Sequence, residues 1–101
     1  MATSKGFFEF VSEQLSCIED ISFRYMMSEY IIYYRGKIVG GLYDDRLLVK
    51  NVPSAKNMLS DADFVVPYEN AKEMILVEDV ENRDLLINLF NAIYDELPKK
   101  R

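Results

Sequence analysis

YIIYYRGKIVGGLYDDRLLVK, residues 30–50, is dense in aliphatic and Tyr side chains, carries Gly at three positions and sets four basic residues among them. Its reading decides the fold. Arg35-Gly36 suits a two-residue turn, because Gly supplies the positive φ that tight hairpins need. Asp44-Asp45 is a second turn of the same length. The stretch then becomes an antiparallel meander of three strands. Two-residue loops set its register: Tyr34 faces Lys37, Tyr33 faces Ile38, Ile31 faces Gly40, Leu42 faces Leu47 and Gly40 faces Val49. Opposed residues share a face, and neighbours along a strand alternate. One face collects Ile31, Tyr33, Ile38, Gly40, Leu42, Leu47 and Val49; it bears no charge and is the expected core face. The other collects Tyr30, Ile32, Tyr34, Lys37, Val39, Gly41, Tyr43, Arg46, Leu48 and Lys50. This sorting depends on the turns, since a slip of one residue exchanges the faces.

On the N-terminal side, residues 4–18 predict a helix. Ser4 is its N-cap, and Phe7, Phe8, Val11, Leu15 and Ile18 form one apolar stripe that Phe10 widens. Residues 22–27 predict a short strand. Beyond the meander, Pro53 opens a short helix over 53–60 with Ala55, Met58 and Leu59 as its buried edge. Residues 64–66 form a brief strand closed by Pro67, which cannot donate to a ladder, and 73–78 form the last strand. Asp79 is the expected N-cap of a final helix over 80–97, with Leu86, Leu89, Phe90, Ile93 and Leu97 at helical spacing and Pro98 as its stop. The basic tail after it is expected to be exposed. The predicted class is α+β: an antiparallel β-sheet with helices packed on one face, in a single domain spanning 1–101.

Several motifs resemble the TfoX (Sxy) N-terminal domain family. Met26-Met27 is followed by Tyr30 to Tyr34, then Gly36-Lys37 and Asp45-Arg46-Leu47 to Lys50. Pro67-Tyr68 precedes Ala71-Lys72-Glu73-Met74, and the last helix ends in Tyr94-Asp95-Glu96-Leu97-Pro98. The resemblance covers nearly the whole chain and implies a fold similar to secretion-chaperone-like domains. The two-domain members are described as acting with the cyclic-AMP receptor protein at competence promoters, through a chain that continues into a helical C-terminal domain. This chain resembles the short, stand-alone members. It departs from the family at Ser28-Glu29, where Gly is usual, and at Arg35-Gly36, where many members have Asp-Gly. The resemblance implies no catalytic residues.

Composition narrows the chemistry. The chain has no His, which removes the commonest general base and metal ligand. One Cys and no His exclude zinc-finger spacings and a Cys-His nucleophile pair. Cys17, at the end of the first helical stripe, is expected to be buried and inert. Asp61-Ala62-Asp63 and Glu78-Asp79 with Glu81 lack the calcium-loop pattern and read as solvated charges. Gly40-Gly41 lies inside a strand and not in a phosphate loop; a bulge, or a helix crossing close over Gly40, is the expected reason for it. The expectation is a non-enzymatic protein without cofactor or metal. A lone cysteine, no bilayer-length apolar run and no leader-like N-terminus point to a cytoplasmic protein that takes no membrane partner.

The net charge is −5, yet residues 24–50 hold five cations against three acids. The candidate partner-binding face is Tyr30, Ile32, Tyr34, Lys37, Val39, Tyr43, Arg46, Leu48 and Lys50. Six large apolar or aromatic side chains on an uncovered face point to self-association as a homodimer or to an unidentified protein partner. The bland alternative is that Lys37, Arg46 and Lys50 lay their stems over the rings and leave an ordinary wet face. The rival function is weak nucleic-acid binding in transcriptional regulation, with bases stacked on the tyrosines. Arg35, Lys37, Arg46 and Lys50 are few beside the roughly 6–10 phosphates that strongly salt-dependent binders neutralise, so nucleic acid ranks behind protein.

Overall fold

The computed structural model describes residues 3–27 and 29–97. Among these residues, six antiparallel strands form one sheet in the order β1-β2-β3-β4-β6-β5. They are β1 (Ile21–Met26), β2 (Glu29–Tyr34), β3 (Lys37–Leu42), β4 (Leu47–Val49), β5 (Phe64–Val65) and β6 (Met74–Val77). Three helices, α1 (Lys5–Gln14), α2 (Pro53–Met58) and α3 (Arg83–Glu96), complete the α+β fold. Pro98, read as the stop of the last helix, lies outside the described residues, as do the basic tail and Ser28.

The core forms where all three helices meet one face of the sheet. Val11 of α1, Leu15 beyond it, Ala55 of α2, and Leu86, Leu89, Phe90 and Ile93 of α3 pack with Ile32, Tyr34, Val39, Leu42, Leu47, Val49, Ile75 and Val77. Ser4 caps α1 as expected, its hydroxyl accepting from the Phe7 N–H at 3.2 Å. That helix ends at Gln14 and tightens into a 3-10 turn over Leu15–Cys17. The turn keeps Leu15 in the core but leaves Cys17 exposed, not buried. Asn82, not Asp79, caps α3, accepting from the Leu85 N–H at 3.0 Å. The chain first turns back through the Asn82 N–H to the Asp79 carbonyl, and Val80 packs against the core. Met58 is exposed, so the buried edge of α2 narrows to Ala55 and a half-buried Leu59. Glu96 accepts from the Ser54 amide at 3.1 Å and from its hydroxyl, tying α3 to the start of α2. Those bonds, the hydroxyl's first, hold the Glu96 carboxyl below the ordinary range.

Both hairpin turns are as read. Arg35 and Gly36 have φ of 52° and 83°, and Asp44 and Asp45 have φ of 54° and 59°. Left-handed pairs of this kind match the twist of the flanking strands. The register beyond them is only half as expected. Tyr34 faces Lys37, Tyr33 faces Ile38, and the second hairpin pairs Leu42 with Leu47 and Gly40 with Val49. Between these points Val39 is an extra residue, so Gly40 faces Ile32 and not Ile31. A bulge of one residue reverses every side chain on the far side of it. Tyr30, Ile32 and Tyr34 therefore join Leu42, Leu47 and Val49 under the helices, while Ile31, Tyr33 and Ile38 point away.

Gly40 makes the bulge feasible. A Cβ there would collide with the Leu48 carbonyl oxygen and sit 3.0 Å from the Val49 Cα, both backbone. The close neighbour is thus strand β4, not a crossing helix. Val39 itself keeps its carbonyl satisfied by the Lys50 N–H at 2.9 Å. Gly40→Ala should destabilise the fold by about 2 kcal/mol, read as a lower urea midpoint; an unchanged midpoint would show that the strand relaxes freely.

Candidate functional site

The nine residues expected on one face are distributed over three places. Ile32 and Val39 are fully buried in the helix-packed core, with Tyr34 and half-buried Tyr30 beside them. Tyr30 stacks on Phe8 at 4.1 Å, and the Tyr34 hydroxyl donates to Asn91 Oδ1 at 2.7 Å. Ile32, Val39 and Tyr34 cannot meet a partner without unfolding the core, and Tyr30 is turned to the helix side under Phe8, which corrects the sequence-based face. Lys37 is used internally as well. Its ammonium donates to the Tyr94 and Leu97 carbonyls at 3.4 and 3.1 Å and lies 4.2 Å from the Tyr94 ring centre. A cation there satisfies the Leu97 carbonyl, adds to the bond that the Tyr94 carbonyl takes from the Leu97 N–H, and complements the dipole of α3.

The remaining four lie on or beside the opposite face. Leu48 is fully buried and Tyr43 nearly so, outside the helix-packed cluster. The Tyr43 ring folds back over Gly41, where a Cβ would be 2.6 Å from its Cε2 and 2.8 Å from the Tyr30 carbonyl oxygen. Burial, with Tyr68 and Glu29 nearby, pushes the Tyr43 hydroxyl above its ordinary pKa. Arg46 sits beside the turn, 3.9 Å from Asp44. Lys50 lines a groove.

That groove is what the sequence reading missed. The segment after β5 returns across the bare sheet face, bringing Tyr68 to 6.2 Å from Tyr43, ring centre to ring centre. An open groove of about 630 Å³ lies between the segment and the strands. Ile31, Ile38, Tyr43 and Lys50 line it from the sheet, and Pro67, Tyr68, Ala71 and Lys72 from the segment. Ile38 is 39% exposed and Tyr68 63% exposed. The Pro67-Tyr68 pair was a visible signal, but its fold over the sheet is a long-range contact without local periodicity. Among the described residues, no three His, Cys, Asp or Glu side chains converge to hold a metal ion. No helix among them is long and apolar enough to cross a membrane.

A relative bears on this chain. It is similar to the uncharacterized 12.7 kDa protein in the trpE 5′ region of Spirochaeta aurantia, 30% identical over 80 residues, which span 79% of this chain and 70% of that protein. The chain belongs to the family of that protein. No family model matches it. No solved structure matches it either.

Removing the Lys37 cap isolates its role. Lys37→Met should keep the packed stem and cost about 1 kcal/mol of stability, measured by chemical denaturation. Equal stability would mean that the α3 carbonyls are satisfied by water alone.

Proposed function

We propose that this is a non-enzymatic protein-interaction domain of the cytoplasm, an accessory regulator akin to the TfoX N-terminal domains, which takes a partner protein on the sheet face away from the helices. The supporting observation is the groove: a sheet face that no helix among the described residues covers, with exposed apolar side chains at Ile38 and Tyr68 between Lys50, Lys72 and Glu73. Apolar anchors ringed by polar groups suit protein recognition, since a few buried aromatic or aliphatic side chains carry most of the affinity. Covering such a side chain yields roughly 1.5–3 kcal/mol. The motif resemblance supports the regulatory side of the proposal, and so does an element order of helix, strand meander, helix, two strands and helix.

The nucleic-acid alternative gains nothing from the geometry. Arg35 and Lys37 stand at the end of α3 against Tyr94, Arg46 pairs with Asp44, and Lys50 alone reaches the groove. The four cations that reading needs do not share one surface.

A photo-crosslinking residue at position 68, in the cells that make the protein, tests the proposal. A discrete crosslinked protein should form, and Ile38→Glu should abolish it while leaving the melting temperature within a few degrees. Crosslinking unaffected by Ile38→Glu, or none at all, would count against the groove.

A further inference from the structure

The two edges of the sheet are treated differently. The β5 edge is two residues long, and Pro67 follows it closely. Short strands and proline blunt an edge against pairing. The β1 edge runs six residues, Ile21–Met26, with no proline and with Arg24 as its one charge. Its backbone groups can be assigned. The Arg35 N–H donates to the Asp20 carbonyl at 3.0 Å, in register with Ile21 opposite Tyr34. Antiparallel pairs alternate between bonded and unbonded. Ser22, Arg24 and Met26 therefore bond to β2, and the N–H and C=O groups of Ile21, Phe23 and Tyr25 point outward from the sheet. Side chains along this edge are also open: Tyr25 is 63% exposed, and Met27, just beyond the strand, 89%.

We propose that β1 is a self-pairing edge, and that a second copy of this chain adds its own β1 antiparallel to it, joining two sheets across a two-fold axis. The proposal stands apart from the groove reading, because it rests on the opposite end of the sheet.

The outward groups restrict the pairing to registers in which odd-numbered residues bond. Two of these overlap most of the strand, 21–25 with 21–25 and 22–26 with 22–26, and charge favours the first. Centred on Phe23, the pairing sets Ile21 opposite Tyr25 and Ser22 opposite Arg24, with no like charges face to face. Centred on Arg24, it sets Arg24 against Arg24, which is unfavourable. The Phe23 register also brings together apolar side chains on the helix side. Phe8 of α1 packs edge-on against Phe23 at 5.1 Å, and Tyr25 lies 5.0 Å from Tyr30. In the dimer the two Phe8–Phe23 pairs become neighbours, and the exposed Tyr25 gains Ile21 of the second copy. One strand pair covers less area than a standard stable interface, so the association is weak, with a dissociation constant in the micromolar range.

Light scattering and sedimentation from micromolar to submillimolar concentration test this on the whole chain. A concentration-dependent dimer is expected. Ser22→Arg places two Arg–Arg pairs across the interface and should weaken it roughly tenfold. Ser22→Asp sets a carboxylate opposite Arg24 and should tighten it. The exchange Ser22→Arg with Arg24→Ser restores the wild-type pairing and should recover the dimer. Position 22 is exposed, and circular dichroism checks each fold. A monomer at every concentration overturns the proposal, as does a dimer whose constant is the same in Ser22→Arg and Ser22→Asp. Loss of the groove crosslink with an intact dimer would separate the two surfaces.

Discussion

Everything in this protein depends on one extra residue in a strand. Val39 bulges out of the β2–β3 ladder, and Gly40 beside it presses against the β4 backbone where no side chain fits. The bulge decides which half of a Tyr- and Ile-rich strand goes under the helices. With it, Ile32 and Tyr34 join the helix-packed core, the Tyr34 hydroxyl finds Asn91, and Lys37 reaches the last carbonyls of α3. Without it, two tyrosines would bury their hydroxyls elsewhere, and Tyr33 would replace Tyr34 under the helix. Buried hydroxyls need partners, so the partners on α3 and the bulge in the sheet belong to the same solution.

The same residue divides the molecule functionally. One sheet face becomes a closed core with every helix on it. The other keeps Ile31, Tyr33 and Ile38, receives Tyr68 from the segment after β5, and stays open as a groove. Tyr43 and Leu48 floor that face, supported by the glycine at position 41. The basic island so conspicuous in the sequence is dispersed by the fold: Arg24 lies on the edge strand, Arg35 and Lys37 at the end of α3, Arg46 beside a turn and Lys50 in the groove. A run of charge in sequence is not a patch in space.

Much of the fold was legible for local reasons. Helix stripes such as Leu86, Leu89, Phe90 and Ile93 need only a period, and the two turns need only residues that tolerate positive φ. The second hairpin followed from its turn. The first failed beyond Ile38, because residues 30–34 of β2 read Tyr-Ile-Ile-Tyr-Tyr and offer no polar alternation to expose a slip. Lys37 reads as a solvent-facing charge and so points to the wrong core face, since nothing local shows that it caps α3. Gly40-Gly41 does carry the signal: a bulge is among its expected meanings, and a bulge there moves the register by one residue. The groove was harder to see, being built from residues far apart in sequence. Cys17 and the α3 cap depended on where helices tighten or begin, which shifts by a few residues with tertiary packing.

Native-state thiol labelling along β2 and β3 tests the bulge most directly. In a Cys17→Ser background, single cysteines at positions 32, 33, 34 and 38 would be placed one at a time. The structure predicts fast labelling at 33 and 38 and strong protection at 32 and 34. Protection at 33 and 38 with fast labelling at 32 and 34 would mean an unbulged ladder, and would contradict the assignment of both faces.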